Sequence, residues 1–296
     1  MVSLCIILFI NRFCLCLKIN RLKNIPKLLS KFEATREGSN LKIKIFAYLF
    51  VACQILIIIC KGFTKLPFMD MVEHFFGLHS HYPLVNDIIN TLHEFSVFLF
   101  CVLPTFMFTF FYINVCSDLK HVIKKFQQYI SGNAAINYKD SLHDLSSMKS
   151  NIELIDEELG FLVLMTIFYN TCIMCLSFYM FFDRKLFRQA YVTFPTLWFF
   201  VTSLGSFIGM MASATMVAEA SEKISSNAAS MPENAGESFS VQQRFIMFAE
   251  KGVHLTVWKI APIKRSFIFG IIGVIFTYTL MFYNLSPVTN ENMTYP

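Results

Sequence analysis

Apolar residues in this chain of 296 residues form long stretches that alternate with polar and charged segments. A bilayer core about 30 Å thick is crossed by about 20 helical residues, and inside lipid a helix satisfies its own backbone hydrogen bonds. The pattern therefore predicts an all-α, polytopic helical membrane protein with a single transmembrane domain over 1–296. Its five predicted spans are 45–60, 95–116, 160–182, 189–218 and 266–286.

A sixth apolar stretch, 2–17, is interrupted by Asn11 and Arg12. It has no basic start and no small-residue cleavage site, so a marginal helix is predicted in preference to a signal peptide. The span 189–218 is longer than a bilayer needs, so it is expected to tilt or to continue beyond the membrane.

Three polar segments also have readable patterns. Residues 117–158 are compatible with helix and predict a helical extension leading into the span at 160, whereas 225–238 have the composition of a loop. After that loop, apolar residues recur at helical spacing and predict an amphipathic helix under the membrane, beside the last span (Val241, Phe245, Ile246, Phe248 and Ala249).

Lysine and arginine are distributed unevenly between the connecting segments. Segments 18–44, 117–159 and 219–265 contain eight, five and six of them, whereas 61–94, 183–188 and the tail after 286 contain two, three and none. Because cytoplasmic loops carry the excess of positive residues, the three basic segments are predicted to be cytoplasmic and the C-terminus extracellular. Asn292 lies in an Asn-Met-Thr glycosylation sequon on that outer side; a chance match is the alternative.

The composition excludes several function classes. The chain is 55% hydrophobic and only 15% charged, whereas soluble domains are about 25% charged. None of the five spans contains Asp, Glu, Lys, Arg or His, the residues on which proton relays and coupled transport depend. An enzyme or a transporter is therefore not expected, and no cofactor or metal site is predicted. The basic residues flank the spans instead of forming a stripe, so no nucleic-acid partner is expected.

Small residues recur in the fourth span at every fourth position, at Gly205, Gly209 and Ser213. This spacing is typical of helices that approach each other closely. The predicted packing surface could serve contacts within one subunit or contacts between subunits around a pore.

The last span carries polar groups along one face. Thr277, Met281 and Asn284 are spaced i, i+4, i+7 and so share one side of a helix. A hydroxyl, a thioether and an amide among apolar side chains suit a narrow pore wall. A polar stripe packed against neighbouring helices is the alternative.

The same span carries a short sequence motif. Thr277-Tyr278, five further residues and then Asn284-Leu285 resemble the final-helix signature of arthropod gustatory receptors, which is Thr-Tyr, five hydrophobic residues and Gln-Phe. Here Asn replaces Gln and Leu replaces Phe. The layout is similar as well, with 45–60 as the third and 266–286 as the seventh helix of that family, and 2–17 as a remnant of the second.

The resemblance implies a subunit of a ligand-gated, non-selective cation channel in the plasma membrane, with its C-terminus extracellular. It also implies membrane lipid around the protein, a small-molecule tastant as ligand, and a homo- or hetero-tetramer with related receptors whose last helices line one pore. The pore region would be formed by Thr277, Tyr278, Met281, Asn284 and Leu285. Two alternatives stay open: a seven-helix receptor of the G-protein-coupled type, with the reverse orientation, and a non-conducting receptor fragment or assembly subunit.

Overall fold

The computed structural model describes residues 103–132, 137–182, 190–229 and 239–285, together with scattered positions between 13 and 102. These residues form five long elements and a small hairpin: α1 (Leu103–Gly132), α2 (Tyr138–Phe182), α3 (Ala190–Ala229), α4 (Phe239–Glu250), β1 (Thr256–Val257), β2 (Ala261–Pro262) and α5 (Arg265–Leu285). Most of the predicted span 2–17, all of 45–60, and Asn292 lie outside the described residues.

Contacts between side chains fix the relative directions of α1 and α3. The Thr109 hydroxyl lies 3.1 Å from that of Ser206, and the Asn227 amide donates a hydrogen bond of 2.9 Å to the Ser131 hydroxyl. Early residues of α1 thus meet early residues of α3, and late residues meet late ones, so the two helices run parallel.

The two remaining long helices run the other way. Phe178, late in α2, contacts Phe200 of α3 with 4.9 Å between ring centroids, and Asn170, earlier in α2, contacts Ser206, later in α3, so α2 is antiparallel to α3. Phe178 also contacts Phe276 of α5 at 6.5 Å, while Phe161, earlier in α2, contacts Trp258 just before α5 at 5.3 Å. Consequently α5 runs parallel to α2, and successive long helices α1, α2, α3 and α5 alternate in direction.

The first half of α2 packs through a narrow seam. Eight of its buried residues follow one another at alternating spacings of three and four, as in a coiled coil; they are Tyr138, Ser141, Leu145, Met148, Ile152, Ile155, Leu159 and Leu162. Asn137 caps the helix, since its side-chain oxygen accepts hydrogen bonds from the backbone N–H groups of Lys139 and Asp140 at 3.1 and 3.2 Å. This segment, although mostly polar, is therefore a helix that is buried along one side only.

Two of the predicted boundaries are wrong. The single helical extension predicted over 117–158 is divided between α1, which ends at Gly132, and α2, which begins at Tyr138. The loop predicted at 225–238 begins too early, because α3 continues to Ala229. Ile224 and Ala228 are buried. Burial of these two side chains stabilises the helix, although the composition of the segment is typical of a loop.

Several of the described helices contain long apolar segments. By length and composition, two described helical segments can cross a bilayer, Tyr138–Phe181 and Thr196–Ala228, and Arg265–Met281 is a shorter apolar helix. Large apolar side chains such as Phe168, Leu176 and Val201 are about half exposed within these segments, as expected of surfaces that face lipid. The fold is an all-α helical membrane fold.

The amphipathic helix expected after residue 238 is present as α4 and packs against α2 and α3 through Phe245 and Ala249. Its last turn is held by Lys149 of α2. The Lys149 ammonium donates hydrogen bonds to the carbonyls of Phe248 and Lys251 and lies 4.3 Å from the centroid of the Phe248 ring. Carbonyls at a helix C-terminus lack partners within the helix and attract cations. Burial lowers the pKa of Lys149, but its protonated form has three donors for this task.

Lys149→Met is expected to destabilise the protein by about 1–3 kcal/mol, because two carbonyls lose their charged donor while the side-chain volume is kept. The measurement is the midpoint of thermal unfolding in detergent. Lys139→Met, at an exposed position in the first turn of the same helix, is the matched control and should leave the midpoint unchanged. Equal midpoints for the two variants would show that Lys149 does not hold α4.

Candidate functional site

Helix α5 is buried along one narrow stripe. Ile275 and Thr279 are each only 3% exposed, and Ile268 and Ile271 pack partly buried on the same side. The Thr279 hydroxyl donates a hydrogen bond of 2.7 Å to the carbonyl of Ile275, one turn earlier, so its polarity is satisfied within its own helix. This stripe attaches α5 to α2 and α3.

The polar face predicted from the sequence lies on the opposite side. Thr277 and Asn284 are exposed, and Tyr278 and Met281 are 51% and 45% exposed. Leu285 is the last residue of the helix. Because Thr277, Met281 and Asn284 face outward, packing within this subunit does not account for them. Their role in a pore stays a prediction.

The predicted small-residue surface of α3 has two different environments. A Cβ atom on Gly209 would lie 3.4 Å from the Cδ1 atom of Ile113, so Gly209 faces α1, whereas a Cβ atom on Gly205 would meet nothing within 4 Å. The Ser213 hydroxyl donates a hydrogen bond of 2.7 Å to the carbonyl of Gly209. Thus Gly209 faces a helix of the same subunit, and Gly205 is open to the outside.

The start of α5 is positioned by the hairpin of β1 and β2. Thr256 pairs with Pro262 and Val257 with Ala261 in antiparallel register. The turn is closed by a hydrogen bond of 2.9 Å from the N–H of Ile260 to the carbonyl of Val257. Lys264 and α5 follow immediately, so the position of the hairpin sets where the helix begins.

Asp156 of α2 binds the hairpin through both of its carboxylate oxygens. One carboxylate oxygen accepts a hydrogen bond of 2.7 Å from the backbone N–H of Thr256, and the other accepts one of 2.6 Å from the Thr256 hydroxyl. The hydroxyl in turn accepts a hydrogen bond of 3.0 Å from the N–H of Lys259 in the turn. Burial raises the pKa of Asp156, although the hydrogen bonds from Thr256 and the charge of Lys259 oppose that shift.

The two residues that follow Asp156 in α2 form three ion pairs. Glu157 pairs with Lys259 at 3.2 Å, with both side chains largely exposed. Glu158 accepts a hydrogen bond of 2.8 Å from Arg21 and lies 3.3 Å from the ammonium of Lys18. Burial alone would raise the pKa of Glu158, but the bond from Arg21 and the charge of Lys18 outweigh it and hold that pKa below its usual value. Lys18 and Arg21 are thereby bound to the same turn of α2 as the hairpin.

Gly160 allows the hairpin to lie directly on α2. A Cβ atom at this position would be 3.1 Å from both the Cα and the N atom of Trp258. Trp258 and Lys259 have φ values of 50° and 59°, the signs that a type I′ turn requires of its two central residues. Positive φ is unfavourable for side chains of this size, so tertiary contacts hold the turn in place.

Sequence reasoning missed this hairpin. The usual signal for such a turn is Asn-Gly or Asp-Gly, and here the two positions are Trp and Lys. Each strand has only two residues, too short for an alternating pattern. The β-branched pair Thr256-Val257 before the turn and Gly160 at the start of a span were the available signals, and each is weak.

A second polar group lies buried among α1, α2 and α3. The Ser206 hydroxyl contacts the Thr109 hydroxyl and accepts a hydrogen bond of 3.4 Å from the Asn170 amide nitrogen. The side-chain oxygens of Asn170 and Thr166 are buried without a hydrogen-bond partner in the described structure. Polar contacts of this kind join helices within a membrane, and the two oxygens offer acceptors to a buried water.

Comparison with known proteins identifies a similar fold but no sequence relative. No protein-family model and no curated protein matches the sequence. Among solved structures, the fold is similar to that of the insect olfactory receptor OR5 from Machilis hrabei, with a TM-score of 0.62 over 95% of this chain and 78% of that chain. Sequence identity is 14%, so the similarity shows a shared helical membrane fold.

Proposed function

We propose that the protein is a subunit of a chemosensory, ligand-gated, non-selective cation channel of the plasma membrane, and specifically a gustatory receptor. Three observations support the proposal. The fold resembles that of an olfactory receptor, the last helix carries a sequence similar to the gustatory-receptor signature, and the polar face of that helix is directed away from its own subunit.

The outward face of α5 is the observation that carries the proposal. Each α5 offers a hydroxyl at Thr277, a thioether at Met281 and an amide at Asn284 along one line, and all three are exposed in the single subunit. In a tetramer these lines would meet around a central axis. Hydroxyl and amide oxygens can replace part of the hydration shell of an ion, and apolar groups between them can close the path by excluding water.

The orientation in the proposal rests on the distribution of Lys and Arg. With the basic segments in the cytoplasm, α5 runs from the inside outward and its Asn284 end lies near the extracellular surface. The alternating directions of the described helices are compatible with this arrangement. A small-molecule ligand would then favour the arrangement of α5 helices in which the constriction is hydrated.

Cysteine substitutions on the two faces of α5 test the proposed pore. Thr277→Cys, Met281→Cys and Asn284→Cys are each expected to react with a small cationic, water-soluble thiol reagent, because a pore wall is exposed to water. Thr279→Cys is the matched control two residues from Thr277, and its burial should leave it at least about tenfold slower. The unsubstituted chain supplies the baseline for its nine native cysteines.

The outcomes separate a face in contact with water from a face that is covered. Reaction along 277, 281 and 284 together with a block of basal current supports the pore. Uniformly slow reaction along this face contradicts it, because a face covered by lipid or by a neighbouring protein is not reached by an aqueous reagent.

A further inference from the structure

The tip of the hairpin presents large apolar side chains to the outside. Trp258 is 52% exposed and Ile260 is 69% exposed, one on each side of Lys259. The contacts of Thr256 with Asp156 and the close approach of Trp258 to Gly160 hold this tip in a fixed position. A rigid, exposed apolar pair next to a cation has the composition of a surface that enters a membrane interface.

The tip lies at the level where the helices change from charged to apolar. The Trp258 ring meets the ring of Phe161 edge to face at 5.3 Å, and Phe161 is the second residue of the predicted span 160–182. On the other side, the apolar run of α5 begins directly after Lys264 and Arg265. Tryptophan is enriched at this boundary because its ring is apolar and its N–H remains hydrated.

Three cationic side chains lie in the turn and in the few residues that follow the hairpin. Lys259, Lys264 and Arg265 are exposed. Two of them form ion pairs, Lys259 with Glu157 at 3.2 Å and Arg265 with Glu219 at 2.6 Å. Both side chains of the Lys259 pair are largely exposed, and such pairs are weak and exchangeable. Among the residues that the structure describes, Lys264 has no acidic partner.

We propose that the hairpin tip and Lys264 form a binding site for anionic phospholipid at the membrane surface. Trp258 and Ile260 enter the boundary between headgroups and acyl chains, and the ammonium groups of Lys264 and Lys259 bind the headgroup. Because the hairpin leads directly into α5, a lipid bound there contacts the segment that sets the start of that helix. The inference depends on the membrane fold and is independent of ion conduction.

Fluorescence of Trp258 in lipid bilayers tests the site. The chain contains two tryptophans, so Trp198→Phe leaves Trp258 as the single emitter. The full chain is reconstituted in phosphatidylcholine containing a fixed fraction of brominated phosphatidylcholine or brominated phosphatidylserine. Bromine on the acyl chains is expected to quench Trp258, and aqueous iodide is expected to quench it weakly. If Trp198→Phe does not fold, the difference in emission between the native chain and Trp258→Phe gives the same signal.

Headgroup selectivity is tested by removing the unpaired cation. Brominated phosphatidylserine should quench Trp258 at a several-fold lower mole fraction than brominated phosphatidylcholine. Lys264→Gln should reduce this preference about fivefold, the effect expected for one cation near an anionic surface. Lys139→Gln, an exposed lysine in the first turn of α2, should leave the preference unchanged.

Three results would overturn the proposal. Strong quenching by iodide with none by bromolipid would place the tip in water. Quenching by neither would place it against protein, as in contact with a second copy of the chain. Equal quenching by the two lipids would leave an interfacial anchor without an anion site.

Discussion

Gly160→Val is expected to destabilise the protein by about 2 kcal/mol, the usual effect of forcing extra carbon atoms into a filled contact. The new Cβ atom would lie 3.1 Å from the Cα and N atoms of Trp258. These are backbone atoms, so the contact cannot be relieved by rotating a side chain. The hairpin must move away from α2, and the contacts of Thr256 with Asp156 are stretched with it.

The matched control is Gly205→Val in α3. Both glycines lie within helices, so the change in helix propensity is the same in the two variants, but a Cβ atom at Gly205 would meet nothing within 4 Å. Thermal unfolding in detergent should therefore show a lower midpoint for Gly160→Val and an unchanged or slightly higher one for Gly205→Val. Equal losses would mean that the hairpin does not depend on the close approach at Gly160.

Asp156→Ala is expected to cost about 2–3 kcal/mol. It removes two hydrogen bonds to a charged acceptor and leaves the N–H of Thr256 without its partner. Asp144→Ala is the control, since Asp144 is an exposed carboxylate of the same helix. A hydrogen-exchange measurement should show faster exchange of the Thr256 and Lys259 amides in Asp156→Ala alone. Unchanged protection of both amides would contradict the role assigned to Asp156.

The raised pKa of Asp156 gives this contact a pH dependence with a defined sign. Because the folded state holds the proton more tightly than the unfolded chain, stability falls as the pH rises from the ordinary aspartate pKa, about 3.9, through the raised one, and it is constant above that. Asp156→Asn keeps an acceptor for the Thr256 N–H and does not titrate. The difference in stability between the native chain and Asp156→Asn should therefore change in this acidic window and nowhere above it.

The two ends of α5 lie in different environments. At its start, the hairpin is bound to α2 by Asp156 and lies on Gly160. Toward its end, Tyr278, Met281 and Asn284 are exposed. A helix fixed at one end and unpacked along one face suits the proposed channel, in which the unpacked face lines the pore.

Several elements followed from the sequence because the signals for them are local. Of the apolar stretches at 160–182, 189–218 and 266–286, the described residues 160–182, 190–218 and 266–285 lie in α2, α3 and α5. The spacing of Phe245 and Ala249 predicted α4, in which both are buried. The i, i+4, i+7 arrangement of Thr277, Met281 and Asn284 predicted a common face, and the structure turns that face outward.

Other features had no local signal. The boundary at 225–229 was misassigned because Ser225, Ser226 and Asn227 have turn composition, whereas burial of Ile224 and Ala228 keeps the segment helical. The polar interior contact of Thr109, Asn170 and Ser206 joins three helices, and nothing within any one helix indicates its partners.

The sequence by itself determined which segments are apolar helices, how Lys and Arg are divided between their two ends, and which polar residues of α5 share a face, since transfer to lipid and helical periodicity depend on neighbours within a few turns. Only the tertiary structure decided that Asp156 holds Thr256, 100 positions away, and that Gly160 admits the backbone of Trp258. Such contacts arise from packing between elements distant in the chain, which favours a turn at Trp258-Lys259 against the local preferences of both residues.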